Sequence, residues 1–440
     1  MKWFSRLSIG IFLVLLAVTP LSGQEFQDFY ADFFEYLDLL ESRNVGLTSF
    51  PLLNIPLGGA REAIGTAYTA LSENSGFIEA NPAASSLLQN TEFSVFHNNL
   101  IADVSLESIA YTIRLDRLGL GIAGKFLHVP FTRYDSRGAQ LASKTFSENI
   151  IILNASYLLF PSFYFSGLGI GANVKLAYRS IPEELYTTVP LVVSGSQDGL
   201  GIMADIGFQG HFNLLKFYSS REKNFSFGAV IQNLGPPVNG DPLPTQFSGG
   251  LAYRPLRFLV FSGDIILPIN LLSPQDSESL GLAVGMGISF TDFLTLRAGL
   301  LLRGGNPRIS TGFEITLPWT SLFVNYTLDR TTTLGAVDRF SIQVTLDLGD
   351  RGRSRIREQV DALYLEALQA FAESNYPRVI ELCEQALSLD PSFTPARKTL
   401  ETARESFELD KALEKIRLGE EATGQSESSD PPDSREEETQ

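Results

Sequence analysis

Residues 168–178 read Leu-Gly-Ile-Gly-Ala-Asn-Val-Lys-Leu-Ala-Tyr, and this stretch decides the fold. In an extended chain successive side chains point to opposite faces, so Leu168, Ile170, Ala172, Val174, Leu176 and Tyr178 share one face while Lys175 falls on the other. The same period of two runs through Ile109, Tyr111, Ile113 and Leu115, through Leu200 to Phe208, and through Leu280 to Phe290. It continues in Ile309 to Leu317 and closes with Phe340, Ile342, Val344, Leu346 and Leu348.

Soluble sandwiches alternate as well, so the connections have to choose between water and membrane. About fourteen strands fit between Thr91 and Leu348, and their joins alternate mostly between tight and long, as transmembrane barrels require. Tight joins are expected at Asp116-Arg117, Arg254-Pro255, Thr291-Asp292 and Pro318-Trp319, with 160–166 and 211–224 in phase. Long joins are expected at 128–145, 180–198, 234–245, 268–279 and 330–337. Phe160, Phe163, Tyr164, Phe165, Phe293 and Trp319 gather at the tight ends, where an interfacial aromatic girdle belongs.

The chain ahead of the strands sets the compartment. Lys2 and Arg6 precede the apolar run Leu7 to Val18, and Leu21-Ser22-Gly23 offers a small-residue cleavage site, so 1–23 reads as a signal peptide. The later sequence holds no apolar run of helix-spanning length, which leaves a barrel as the way to cross a membrane. A formal charge of -16 with no basic stripe in the β region excludes nucleic acid as a partner. With Cys383 as the single cysteine, no intrachain disulfide forms. Within 24–57, Phe26, Phe29, Tyr30, Phe33, Phe34 and Leu37 recur at helical spacing; that helix either docks on a barrel mouth or lies at the interface, or covers an ordinary core.

Between these parts lies 58–90, with Gly59, Ala60, Arg61, Gly65, Ala67, Tyr68, Thr69, Ala70 and the turn Asn81-Pro82-Ala83. Small residues allow close backbone packing, and the segment reads as a plug fitted inside a wall. These residues resemble the N-terminal hatch of the long-chain fatty-acid transporter (FadL) family of outer-membrane barrels and of the related barrels of protein secretion. The resemblance implies a luminal hatch, with plug residues Gly59, Arg61, Gly65, Ala67, Asn81 and Pro82, ahead of about fourteen antiparallel strands. Ala84 stands where the family commonly has Gly, a departure from the pattern.

The fold expectation is therefore mainly β: an antiparallel transmembrane barrel over 91–349 with the plug at 58–90, and then a small α-helical repeat domain. Arg351, Arg353, Arg355 and Arg357 open that domain, either as a solvated linker or as partners of inner-leaflet headgroups. Over 350–418, Leu363, Ala367, Ala370, Phe371, Tyr376, Ile380, Cys383, Ala386, Leu387 and Pro391 match one tetratricopeptide-like repeat, with a third helix from Thr394 to Ile416 as its cap. The acidic segment 419–440 reads as disordered.

Chemistry of other kinds is not indicated. Gly119, Gly121, Gly124 and Lys125 meet a dinucleotide glycine pattern, but inside a period-two strand with no helix behind it. His97, His128 and His211 lack metal spacing, and no nucleophile motif is present, so neither a metal, a cofactor nor an enzyme is expected. Lys125, Lys175, Arg179, Arg297 and Arg303 fall on the inner face or at strand ends; they either hold a ligand carboxylate or pair with Asp205, Glu314, Asp264 and plug polar groups. As the family is known, apolar cargo leaves sideways through a kinked early strand; the matching place is Gly119, Gly121 and Gly124 with Pro130, unless those glycines only make room for the plug.

Two functions follow from these readings. One is uptake of small hydrophobic, fatty-acid-like molecules through the outer membrane of a two-membrane bacterium. The other is a non-transporting scaffold in contact with outer-membrane lipid, whose periplasmic repeat domain recruits a protein or peptide.

Overall fold

The computed structural model describes residues 48–101, 104–182, 198–218, 220–303, 307–331 and 335–427. The expected signal peptide, the aromatic helix of Phe26 to Leu37 and the tail beyond 427 lie outside the described residues. Fourteen antiparallel strands close into one barrel. The first seven are β1 (Glu92–Asn99), β2 (Ser105–Leu115), β3 (Leu118–Tyr134), β4 (Gln140–Leu159), β5 (Phe165–Ser180), β6 (Gly199–Phe212) and β7 (Phe225–Leu234). The others are β8 (Gln246–Leu256), β9 (Leu259–Pro268), β10 (Gly281–Thr291), β11 (Leu294–Leu302), β12 (Arg308–Leu317), β13 (Thr320–Thr331) and β14 (Gly335–Asp347). Closure runs from Glu92↔Asp347 to Asn99↔Phe340, which removes both free sheet edges.

Alternation survives as two faces of one wall. Val174 is 56% exposed while its neighbour Lys175 is 1% exposed, and Leu200, Ile202 and Ile206 stand outward on β6 in the same way. The turns at 116–117 and 318–319 fall where expected. Arg254-Pro255 does not make a turn: it lies inside β8, where the register shift between Tyr253 and Leu256 absorbs a proline that has no N–H to give, and the turn follows at 257–258. The expected loop 128–145 is largely strand, because β3 and β4 stay paired out to Tyr134↔Gln140. Val129, Phe131, Thr132 and Tyr134 supply β-forming residues there.

Residues 49–90 are largely buried and pack against strands on opposite sides of the barrel. The 3-10 turn Pro51–Asn54, helix α1 (Gly59–Ala63), helix α2 (Phe77–Ala80) and the 3-10 stretch Pro82–Leu87 are too short to persist alone; wall contacts hold them. Pro82–Leu87 packs against β2 to β6, and α1 packs against β11 to β14 on the other side. Gly65, with a left-handed φ of 63°, turns the chain after α1 directly against Gly299, where a Cβ would overlap the main chain of Ile64 and Gly65.

A second compact unit begins at Asp350. It contains α3 (Arg353–Ala372), α4 (Tyr376–Leu389) and α5 (Thr394–Glu427). Ala367, Ala370, Ala386, Ala396 and Ala403 are buried with Val360, Leu382 and Cys383, so small side chains set the close approach of the helices. Rings of Tyr364 and Phe393 meet edge to face at 5.2 Å. Helix starts at Arg353, within the arginine run, and one expectation is corrected: α5 continues through 419–427, where Glu420, Glu421, Ala422 and Gln425 are strong helix formers.

Candidate functional site

Asn81 and Glu79 tie the interior segment together. The Asn81 amide donates to Thr69 O at 2.9 Å and to Phe208 O of β6 at 3.0 Å, while its Oδ1 accepts from Ala83 N. Glu79 receives Lys125 Nζ of β3 at 2.7 Å, Arg61 Nη1 at 2.7 Å and Leu57 N at 3.0 Å. Among the other resemblance residues, Gly59 N donates to Gln343 Oε1 of β14 at 2.5 Å. Ala67 is buried with Ile266, Ala283 and Leu301. Pro82 O accepts from Asn154 of β4 at 3.0 Å. A polar ladder on β4 to β6 extends this grip: Asn154 donates to Asn173, Asn173 to Ile78 O and to Asp205, and Asp205 pairs with Lys175 at 2.8 Å.

Each of four expected carboxylate-binding cations already faces a protein carboxylate. Lys125 holds Glu79, Lys175 holds Asp205, Arg297 bridges Glu73 at 3.1 Å and Glu314 at 2.5 Å, and Arg303 holds Glu278 at 2.9 Å. Arg179 lies 5.6 Å from the centroid of the Phe50 ring. Neutralisation follows from burial, since an ion taken out of water needs a partner within a few ångströms. Asp264 takes a different role: it accepts both Tyr68 N and Thr69 N at 2.9 Å, serving as a wall-mounted cap for the segment's backbone.

The expected lateral opening is closed. β3 pairs with β4 along its whole length and with β2 from Leu118 to His128, so the ladder passes Gly119, Gly121 and Gly124 without a gap. Pro130 lies beyond the end of β2, where β3 has one neighbour and a proline is tolerated. Gly119 instead faces inward, where a Cβ would overlap the Ser85–Ser86 main chain, and Gly171 and Gly228 abut Pro82 and Thr69 in the same manner.

Sequence reasoning missed the apolar inner wall. Leu106, Leu127, Ile150, Ile152 and Met203 point inward and pack with Phe50, Leu52 and Leu53 of the segment. Leu100, Val104, Val129 and Phe146 continue this surface to the long-loop rim, where they are half-buried. The signal was present at residues 150–153, Ile-Ile-Ile-Leu, where alternation fails because both faces are apolar. Glu79 was also missed; a carboxylate inside Gly-Phe-Ile-Glu-Ala-Asn-Pro marks a buried partner to come.

The toluene transporter TodX of Pseudomonas putida is similar to this chain with 14% identity and a TM-score of 0.46, over 66% of this chain and 97% of TodX. The monoaromatic hydrocarbon channel CymD has 12% identity and a TM-score of 0.45, over 68% and 99%. A UPF0164 protein of Treponema pallidum (strain Nichols) is 25% identical over 387 residues, 85% of this chain and 87% of the relative. A second UPF0164 protein of that organism is 23% identical over 378 residues, 82% and 76%. Residues 37–351, well over half of the sequence, match the model of one family, and the chain belongs to that family, the uncharacterised protein family UPF0164.

Proposed function

We propose that this chain is an outer-membrane barrel of a two-membrane bacterium that takes up small hydrophobic, fatty-acid-like molecules, with 58–90 as its luminal plug. The observation that carries the reading is the apolar sector of the inner wall, from Val129 and Phe146 at the long-loop rim to Phe50 and Leu53 inside. Luminal faces of membrane barrels are ordinarily polar, so an apolar luminal strip suits a solute that leaves water readily. The exposed outer rows of Val174, Leu200, Ile202 and Ile206 suit a lipid surround. Barrel ends Glu92 and Asp347 lie together at the short-turn side, which we take as periplasmic.

The test is to identify molecules co-purifying with the barrel and to measure uptake in cells carrying Asn81→Ala or Gly121→Val. Asn81→Ala removes three hydrogen bonds of the plug, and Gly121→Val crowds Ile78 and Asn154. Both are expected to change uptake severalfold relative to a deletion strain. Uptake in wild-type cells no higher than in the deletion strain, together with an empty lumen, refutes transport.

A second reading, a non-transporting scaffold, is favoured by the closed wall at β3 and by the helical unit. Leu365 and Leu368 on α3 and Leu409, Leu413 and Ile416 on α5 are exposed and offer apolar contacts to a periplasmic protein or peptide. On this reading 350–418 acts as a tetratricopeptide-like module. Crosslinking from Leu363 to Leu400 that recovers a stoichiometric protein, with no ligand in the barrel, selects it over transport.

A further inference from the structure

The connection between β6 and β7 departs from its rim. Other short-turn connections span 116–117, 160–164, 257–258, 292–293 and 318–319, whereas this one spans 213–224. Its described residues are folded and pinned. Asn224 accepts Leu214 N at 2.9 Å and donates to Leu214 O at 2.7 Å, and the Tyr253 hydroxyl donates to Leu215 O at 2.9 Å. Lys216 Nζ donates to Ser220 O at 2.6 Å and to Glu222 O. This scaffold leaves Leu215 71% and Phe217 73% exposed, with Leu214 beside them. Apolar tips held outward by a fixed backbone are a surface, not a failure of packing.

The tip joins the outer face of the wall. Rings of Phe212 and Phe225 meet at 4.8 Å and those of Phe225 and Tyr253 at 6.3 Å, so an aromatic row crosses β6, β7 and β8 and ends at the residue that holds Leu215. Cations surround the same place. Lys216 lies 5.0 Å and Arg257 6.0 Å from the centroid of the Tyr218 ring, Lys223 lies 5.3 Å from that of Phe163, and Arg221 is in the loop. Burial, with Lys216 and Arg221 close by, holds the Lys223 ammonium below its usual range. Facing these four cations, the loop itself carries one carboxylate, Glu222.

We propose that this loop is an anionic-lipid docking site: Leu214, Leu215 and Phe217 enter the leaflet on the short-turn side, and Lys216, Arg221, Lys223 and Arg257 bind the phosphate of an anionic headgroup. The pairing of apolar tip and cation cluster is the chemistry of an interfacial anchor, and its continuity with the aromatic row puts it at headgroup depth. The inference rests on the barrel spanning a membrane.

The test uses the full chain with Trp3→Phe and Trp319→Phe, carrying one tryptophan at Phe217→Trp or, as reference, at Leu200→Trp on the outer face of β6. Each is reconstituted in phosphatidylcholine vesicles containing brominated phosphatidylcholine or brominated phosphatidylglycerol at equal mole fraction. Phe217→Trp is expected to be quenched by both, with brominated phosphatidylglycerol enriched about fivefold, the rough effect of one cation at an anionic surface. That preference is expected to vanish in high salt and in Lys216→Gln/Arg221→Gln/Lys223→Gln/Arg257→Gln, while Leu200→Trp shows none. Quenching of Leu200→Trp without quenching of Phe217→Trp overturns the docking site and leaves the barrel reading intact, as a protein-facing loop would. Equal quenching of Phe217→Trp by the two lipids overturns the headgroup assignment. Absence of quenching at both positions overturns the barrel reading and this site together.

Discussion

Replacing Glu79 by Gln removes the carboxylate on which the interior segment is centred while keeping its shape. In the native arrangement Glu79, 2% exposed, neutralises Lys125, 0% exposed, at 2.7 Å and Arg61 at 2.7 Å. Breaking a buried pair from one side strands the other charge, at about 3–5 kcal/mol. The lower figure applies, because Lys125 keeps Leu52 O at 2.9 Å and Ile55 O at 2.5 Å as acceptors. About 3 kcal/mol is a roughly 150-fold rise in the population with the segment displaced. When opening is faster than cleavage, proteolysis follows that population, so cutting within 49–88 of vesicle-reconstituted protein should accelerate by about two orders of magnitude. In a Lys125→Met background the stranded cation is gone, and the same substitution should cost roughly 2 kcal/mol less. Wild-type cleavage of Glu79→Gln, or an equal acceleration in both backgrounds, would refute the pair as the segment's anchor.

Two further outcomes follow from contacts. Gly119→Val, which overlaps the Ser85–Ser86 main chain, is expected to lower barrel stability to urea by about 1–3 kcal/mol, whereas Gly249→Ala, whose Cβ meets Phe247 at 3.8 Å, stays within about 0.5 kcal/mol. Burial pushes the Cys383 thiol up, so maleimide should label the native protein slowly at neutral pH and label it fully in urea; fast native labelling would show that the α3–α4 packing opens.

The wall was legible because one physical rule governs it. The outer face of the barrel is apolar, and strand geometry turns that into a period of two, as in Leu168 to Tyr178. Turn positions were legible where chemistry is local, as at Asp116-Arg117, and misread at Arg254-Pro255 because the bulge that accommodates Pro255 depends on the neighbouring strand. Inward cations were legible as residues, and Asp205 and Glu314 as wall carboxylates that pair with them, but the particular plug carboxylates were not. Lys125 finds Glu79 across 46 positions and Arg297 finds Glu73 across 224, separations that carry no periodic signal. The sequence left the glycines of β3 open between a lateral opening and room for the plug, because glycine reports close approach without saying what approaches; at Gly119 it is the Ser85–Ser86 backbone.

Two kinds of contact close the interior, and their placement bears on where a solute would enter. Toward β8 to β12 the segment is held by directional, charged contacts: Arg254 and Arg297 on Glu73, and Asp264 on Tyr68 N and Thr69 N. Parting those contacts strands ions and backbone donors, each at a cost of about 1–3 kcal/mol or more. Toward β2 to β6 much of the contact is Phe50, Leu52 and Leu53 on Leu106, Leu127, Ile150 and Ile152. Apolar contact is non-directional, so a hydrophobic molecule can take the place of these side chains while the Leu52 main chain stays on Lys125 and Glu148. On the proposed reading, the seam between the Phe50, Leu52 and Leu53 side chains and the β2–β4 wall is therefore the entry path, and the polar contacts on both sides keep the plug in register while those side chains yield.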